Sequence, residues 1–217
     1  MFKSFSQISE QAFLIDYGSL INKETNNNVI NHFKYIQNLN YKFILNIVPS
    51  FNKLLILFDI QYKKDTLNLI NQLKSKKINC VVKKKKHLIK ICYDEEFALD
   101  KNYIEQNFNL NFETLINIHL NTNFHAYMLG FLPGLPFLGT MKLNFSIPRK
   151  NSPRIKVPGS SVGIVNNLCV IYPFDTPGGW NIIGKAKVDL FNINKTKLCA
   201  ITPGDQITFK RVTKTEI

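Results

Sequence analysis

The 217-residue chain has no run of about eighteen apolar residues that could cross a bilayer as a helix, and its start, MFKSFSQISEQ, lacks the apolar stretch of a secretory leader. These absences point to a soluble, cytoplasmic protein with no membrane partner. The four cysteines, Cys80, Cys92, Cys169 and Cys199, show no CxxC spacing. They read as reduced core residues rather than as a zinc knuckle or a disulfide framework. HExxH and paired-histidine spacing are missing, so no protein-bound metal is expected. GxxxxGK[ST] is missing too: in the most Gly-rich stretch Gly139 is followed by Thr140 and Met141, which excludes a P-loop there. No biotin-accepting Met-Lys stands in an acidic context, so no covalently bound cofactor is expected. Arginine is scarce. Only Arg149, Arg154 and Arg211 are found among 28 basic residues, whereas a phosphate-binding surface would use arginine as well as lysine.

What is present is a net charge of +13 and 45% hydrophobic residues, enough apolar material for one large core or two small ones. The charge is uneven: 14 lysines stand against five acids before His87, and 14 basic residues against ten acids after it. The abundance of Lys, Asn and Ile fits an AT-rich coding genome and a solvated lysine face, and no nucleic-acid partner is expected. In the first part, AFLIDYG (12–18) reads as a buried strand. NNNVINHFKYIQNL (26–39) reads as a helix capped by Asn27 or Asn28. FILNIVP (43–49) and KLLILFDI (53–60) read as strands, DTLNLINQLKS (65–75) as a helix capped by Asp65, and INCVV (78–82) as a closing strand. That β-α-β-β-α-β order predicts a ferredoxin-like unit over residues 1–84. KLLILFDI lacks the aromatics and glycine of an RNA-recognition motif.

KKKKH (83–87) reads as an exposed linker. Beyond it come a strand (88–94), short helices through 100–120, and β-rich sequence with turn signals about every ten residues, which suggests a barrel or sandwich over 85–217. Four stretches stand out there: GFLPGLPFLG (130–139), IPRKNSPR (147–154), VPGSSVGI (157–164) and YPFDTPGGWNIIG (172–184). With the start ISEQAFLIDYG they resemble the 5-oxoprolinase B-subunit family, also described as the KipI or allophanate hydrolase subunit 1 family.

The resemblance covers nearly the whole chain. It implies an α+β architecture, a small N-terminal domain followed by a cyclophilin-like β-barrel. It implies ATP-dependent opening of 5-oxo-L-proline to L-glutamate, with magnesium accompanying the ATP. It implies two protein partners, a companion barrel of the C type and a third chain of the A type. Related paired barrels form the carboxyltransferase part of urea carboxylase. Two other roles stay open: a regulatory protein that inhibits a sensor histidine kinase, and a component acting on a urea-derived amide such as allophanate. One position departs from the family pattern. VPAGSV reads VPGSSV here, which puts Ser160 where a glycine is expected and raises the question of a strained backbone.

Opening an amide ring with ATP needs groups that hold a carboxylate, polarise a carbonyl and stabilise phosphate charge. Arg149 and Arg154 suit bidentate anion recognition, or form structural salt bridges. Ser160 and Ser161 donate to the same anion, or cap their own backbone. Gly130, Phe131, Pro133 and Gly134 build a rigid wall that offers N–H donors beside an apolar ring, or simply pack. Gly178 and Gly179 precede Trp180, the only tryptophan, which stacks on a ring, anchors a partner or fills the core. His125 is a candidate acid/base or oxyanion donor, with a structural hydrogen bond as the alternative. No complete nucleophile, base and orienter set is visible, so the chain alone is expected to be inactive.

Overall fold

In the computed structural model the described residues are 2–75, 78 and 84–217. The chain forms two compact units, Met1–Lys84 and Lys85–Ile217.

The first unit is an antiparallel sheet with two helices. Strands β1 (Ser4–Ser9) and β2 (Ala12–Asp16) form one hairpin, β3 (Ile44–Pro49) and β4 (Lys53–Phe58) another, and the sheet runs β1-β2-β4-β3. Helices α1 (Lys23–Leu39) and α2 (Lys63–Ser75) supply Val29, Ile36, Ile70 and Leu73 to a core with Ile15, Leu54, Ile56 and Phe58. Helix α1 begins earlier than its periodicity suggests, because the Asn22 carboxamide oxygen accepts from the Thr25 amide at 2.8 Å. A 3₁₀ turn capped by Asp59 leads into α2, so Asp65 lies in the first turn instead of capping it. Strand β1 has no counterpart in the sequence reading. Its SFSQIS lies almost wholly in solvent and carries no apolar periodicity. It also occupies the place beside β2 that the last strand of a ferredoxin-like unit would take, so the described sheet does not have that order. The strand expected over 78–82 falls outside the described residues except for Ile78.

The second unit is a closed seven-stranded barrel. Its strands are β5 (Lys86–Cys92), β6 (Phe124–Leu129), β7 (Pro136–Gly139), β9 (Ser161–Val165), β10 (Leu168–Ile171), β12 (Asn181–Lys187) and β13 (Gln206–Arg211). They close in the order β10-β7-β6-β13-β5-β12-β9, with β5 and β13 parallel and the other pairs antiparallel. A separate ribbon joins β8 (Arg154–Val157) to β11 (Thr176–Gly178). Helix α3 (Lys101–Phe108) packs on β12, and α4 (Phe112–Leu120) packs on β13. Part of the expected lysine linker belongs to the barrel: Lys86 pairs with Gln206, and the Lys85 amide donates to Asp205 at 3.0 Å. Cys92 and Cys169 are buried and Cys199 is half-buried, all as free thiols, while Cys80 lies outside the described residues.

Candidate functional site

Three of the four sequence motifs meet at one cavity of about 230 Å³ in the barrel unit. The loop before β7 contributes Phe131 and Leu135, β7 itself Phe137, the segment before β8 Arg149, and the stretch from the end of β10 to just past β11 Tyr172, Gly178 and Trp180; Val165 and Val170 complete the wall. The loop owes its shape to two residues in the left-handed region, Phe131 at φ +70° and Gly134 at φ +80°. A Cβ on Gly134 would stand 2.7 Å from the Phe191 Cβ, so only glycine fits. The amides of Gly130 and Leu135 are spent inside the loop, on Leu135 O at 3.1 Å and Leu132 O at 3.1 Å. Those two amides are therefore not available to a ligand, and the side chains that the loop turns to the cavity are the apolar Phe131 and Leu135. Pro133 is exposed at its tip.

Trp180 is half-buried and meets the Phe137 ring edge-on, with centroids 5.8 Å apart. Tyr172 is buried, with its hydroxyl against the bare Cα of Gly178: a Cβ there would lie 2.6 Å away. Burial pushes the Tyr172 hydroxyl up, offset in part by the Arg149 charge and the Trp180 amide, so it stays protonated at neutral pH. Gly179 does the same service for Arg149, whose Nε would stand 3.0 Å from a Cβ at that position.

The two arginines have opposite fates. Arg154 is a structural fork: Nη1 donates to Asp100 Oδ2 at 2.8 Å and Nη2 to Oδ1 at 2.7 Å. Asp100 is 1% exposed and also accepts from Lys150 Nζ at 2.6 Å and from the Ile182 amide at 2.7 Å. Burial alone would raise its carboxyl, but Arg154, Lys150 and the Ile182 amide outweigh burial and hold it below the usual value. Arg149 is exposed at the cavity, and among the described residues no carboxylate forms an ion pair with it. Of the two arginines in this segment, it is the one without a carboxylate partner.

The other expected residues lie away from the cavity lining. His125 is buried in β6, with its ring edge-on to Tyr127 at 4.9 Å. Ser160 and Ser161 hold Tyr172 through the backbone: the Ser160 amide donates to Tyr172 O at 2.7 Å, and the Tyr172 amide donates to Ser161 O at 2.9 Å. Ser160 has φ +65°, in the left-handed region that favours glycine, and the serine bears the cost. Elsewhere in the barrel, Cys169 Sγ lies 3.5 Å from His119 Nε2, and the Tyr93 hydroxyl lies 2.7 Å from Nδ1. That spacing suits a nucleophile and its base, but all three are buried. Burial pushes the thiol up and the imidazole down to about 3, the reverse of what a reactive thiolate needs. Among the described residues, no group of three or more His, Cys, Asp or Glu side chains could hold a metal ion, and no helix is long and apolar enough to cross a membrane.

The sequence profile described as carboxyltransferase domain, subdomain C and D, matches residues 3–201. The chain belongs to this carboxyltransferase family. It is 32% identical to the 5-oxoprolinase B-subunit of Bacillus subtilis over 96% of this chain and 92% of that protein, which bears out the resemblance read from the four motifs. Among solved structures, TTHA0988 superposes with a TM-score of 0.83 at 25% identity. The match covers 93% of this chain and 40% of that longer one. The urea carboxylase of Kluyveromyces lactis shares the fold at a TM-score of 0.77 and 18% identity, over 98% of this chain and 22% of that one. Within this carboxyltransferase-domain barrel, sequence reasoning missed Tyr172, Leu135, Phe137, Val165 and Val170 as lining residues. Tyr172 opens the fourth motif and could have been found by its place beside the Pro-Gly-Gly turn. Asp100 carried no signal, since its partners are 50, 54 and 82 residues away.

Proposed function

We propose that this chain is the B-type component of an ATP-dependent 5-oxoprolinase, which opens 5-oxo-L-proline to L-glutamate. The observation that carries the reading is Arg149, a guanidinium with no protein carboxylate, set on a small and otherwise apolar cavity built by the family motifs. A flat lactam ring with one carboxylate matches those features. Arg149 holds the carboxylate by a two-pronged contact, and the Phe131, Phe137 and Trp180 side chains enclose the ring and exclude water. Tyr172, kept protonated by burial, donates to the lactam carbonyl and draws charge onto its oxygen.

ATP and its magnesium act with the assembled complex, since the chain has no phosphate loop. The companion barrel and the third partner supply the nucleotide site and the groups that activate the ring amide. Alone, the chain should release no glutamate from 5-oxo-L-proline and ATP; with both companions it should. Turnover by the isolated chain, or an assembled complex that hydrolyses a urea-derived amide and not 5-oxo-L-proline, would sink the proposal.

A further inference from the structure

We infer that Asp100, which does not line the cavity, is a positioning residue for Arg149, and that its ion pairs with Lys150 and Arg154 fix the direction in which that guanidinium meets a carboxylate. The inference rests on the reading of Arg149 given above. The segment carrying Arg149 is bonded on both sides of it. Pro148 O accepts from Asn181 Nδ2 at 2.9 Å, and the Lys150 amide donates to Gly179 O at 2.9 Å. Asp100 is tied to the same stretch, its amide donating to Ile182 O at 3.0 Å and its Oδ2 accepting from the Ile182 amide. The Lys150 ammonium closes the circuit onto Asp100 Oδ1 and also sits over the Tyr103 ring, 4.1 Å from the centroid. Arg149 and Asp100 thus share one frame, residues 179–182. Lys150, the immediate neighbour of Arg149, is the strut between them.

A buried carboxylate with two cations is a poor way to gain stability, because desolvation consumes much of the attraction. It does hold three chain segments in one geometry. Charge and position make opposite forecasts here. Asp100, Arg149, Lys150 and Arg154 sum to +2, and Asp100→Asn would raise that to +3. If the cluster acted through its field, an anion would bind the variant more tightly; if it acts through position, the anion binds more weakly.

Two readouts on the full chain decide the matter. Trp180 is the only tryptophan and lines the cavity, so its fluorescence reports binding of 5-oxo-L-proline as the probe. The three arginines give three Nε signals, so nitrogen-15 relaxation reports the order of Arg149 with no ligand present. Below the melting temperature, Asp100→Asn should weaken probe binding by about tenfold, the equivalent of one lost charge-assisted hydrogen bond, and should loosen the Arg149 Nε. Lys150→Met keeps the Arg154 fork and serves if D100N folds poorly; it should loosen the same signal. Wild-type affinity and wild-type Nε order in both variants, or tighter binding by D100N, would overturn the inference. If the wild type and Arg149→Lys bind the probe equally poorly, the cavity reading fails instead. The relaxation arm alone then judges Asp100, with retained order in D100N overturning its role and lost order supporting it.

Discussion

Replacing Arg154 by methionine tests whether this arginine is structural. The side chain is a quarter exposed, and its two bonds reach a carboxylate that is 1% exposed. Two charge-assisted bonds at about 1.5–3 kcal/mol each set an upper bound. Asp100 keeps Lys150 and the Ile182 amide after the change, so the charge is not abandoned. That residual pairing brings the expected loss down to about 2–3 kcal/mol at pH 7, below the cost of orphaning a buried ion. For a chain of this size, each kcal/mol lowers the melting temperature by roughly 2–4 °C, which predicts a drop of about 4–12 °C. The pH dependence follows from the carboxyl being held low in the folded state. Such a group contributes fully above the unfolded aspartate value of about 3.9 and loses its contribution as pH falls through the folded value. Calorimetric melts should therefore show the wild type and Arg154→Met well apart at pH 7 and pH 5 and converging as the pH falls past the unfolded aspartate value of about 3.9 and through the lower folded one. Equal melting at pH 7, or a gap that persists undiminished into acid, would refute this account of the fork.

Arg149→Lys should leave the melting temperature within about a degree and lower kcat/KM of the assembled complex by about ten- to hundredfold, the loss of a bidentate contact worth roughly 1.5–3 kcal/mol; unchanged kinetics would remove Arg149 from the site. Ser160→Gly should relieve left-handed strain of about 1–2 kcal/mol, partly offset by the freer unfolded chain, and melt slightly above wild type, while Ser160→Val should melt clearly below it; the reverse order in thermal melts would contradict the φ +65° backbone. Trypsin should leave a resistant fragment that keeps Lys85 and Lys86, whose backbones are bonded to Asp205 and Gln206; mass spectrometry finding first cuts within 86–211 would argue against an independent barrel unit.

What could be read from the sequence follows from how each feature is encoded. Helices α1 and α2 and strands β2 to β4 bury one face, and burial writes a period into the chain. Strand β1 buries almost nothing, so it left no mark. The Gly-Pro motifs were legible because only a few residues allow those backbone angles, and three of the four motifs proved to share a cavity. Their chemistry was less legible. Arg149 and Arg154 are the same residue type in one short segment, yet one is taken up by Asp100 and the other is free, a distinction made entirely by a carboxylate some fifty residues earlier. The loop glycines suggested exposed amides, and of these the Gly130 amide is taken up inside the turn by Leu135 O. Ser160 was identified as standing in a glycine's place, and the serine does lie in the left-handed region that favours glycine.

The parallel pairing of β5 with β13 has a consequence for how the protein is made. Strand β13 comes last of the barrel strands in chain order, yet it sits between the first two, β5 and β6. A ribosome adds about eighty residues after finishing β6 before β13 is complete, several seconds of synthesis at roughly 5–20 residues per second. Throughout that interval β5 and β6 each lack a hydrogen-bonding neighbour, and open strand edges template association between nascent chains. Closure is therefore a late, long-range event. The dangerous period for this protein comes while its barrel is still being synthesised, which makes chaperone occupancy of the β5 and β6 segments the natural safeguard in the cell.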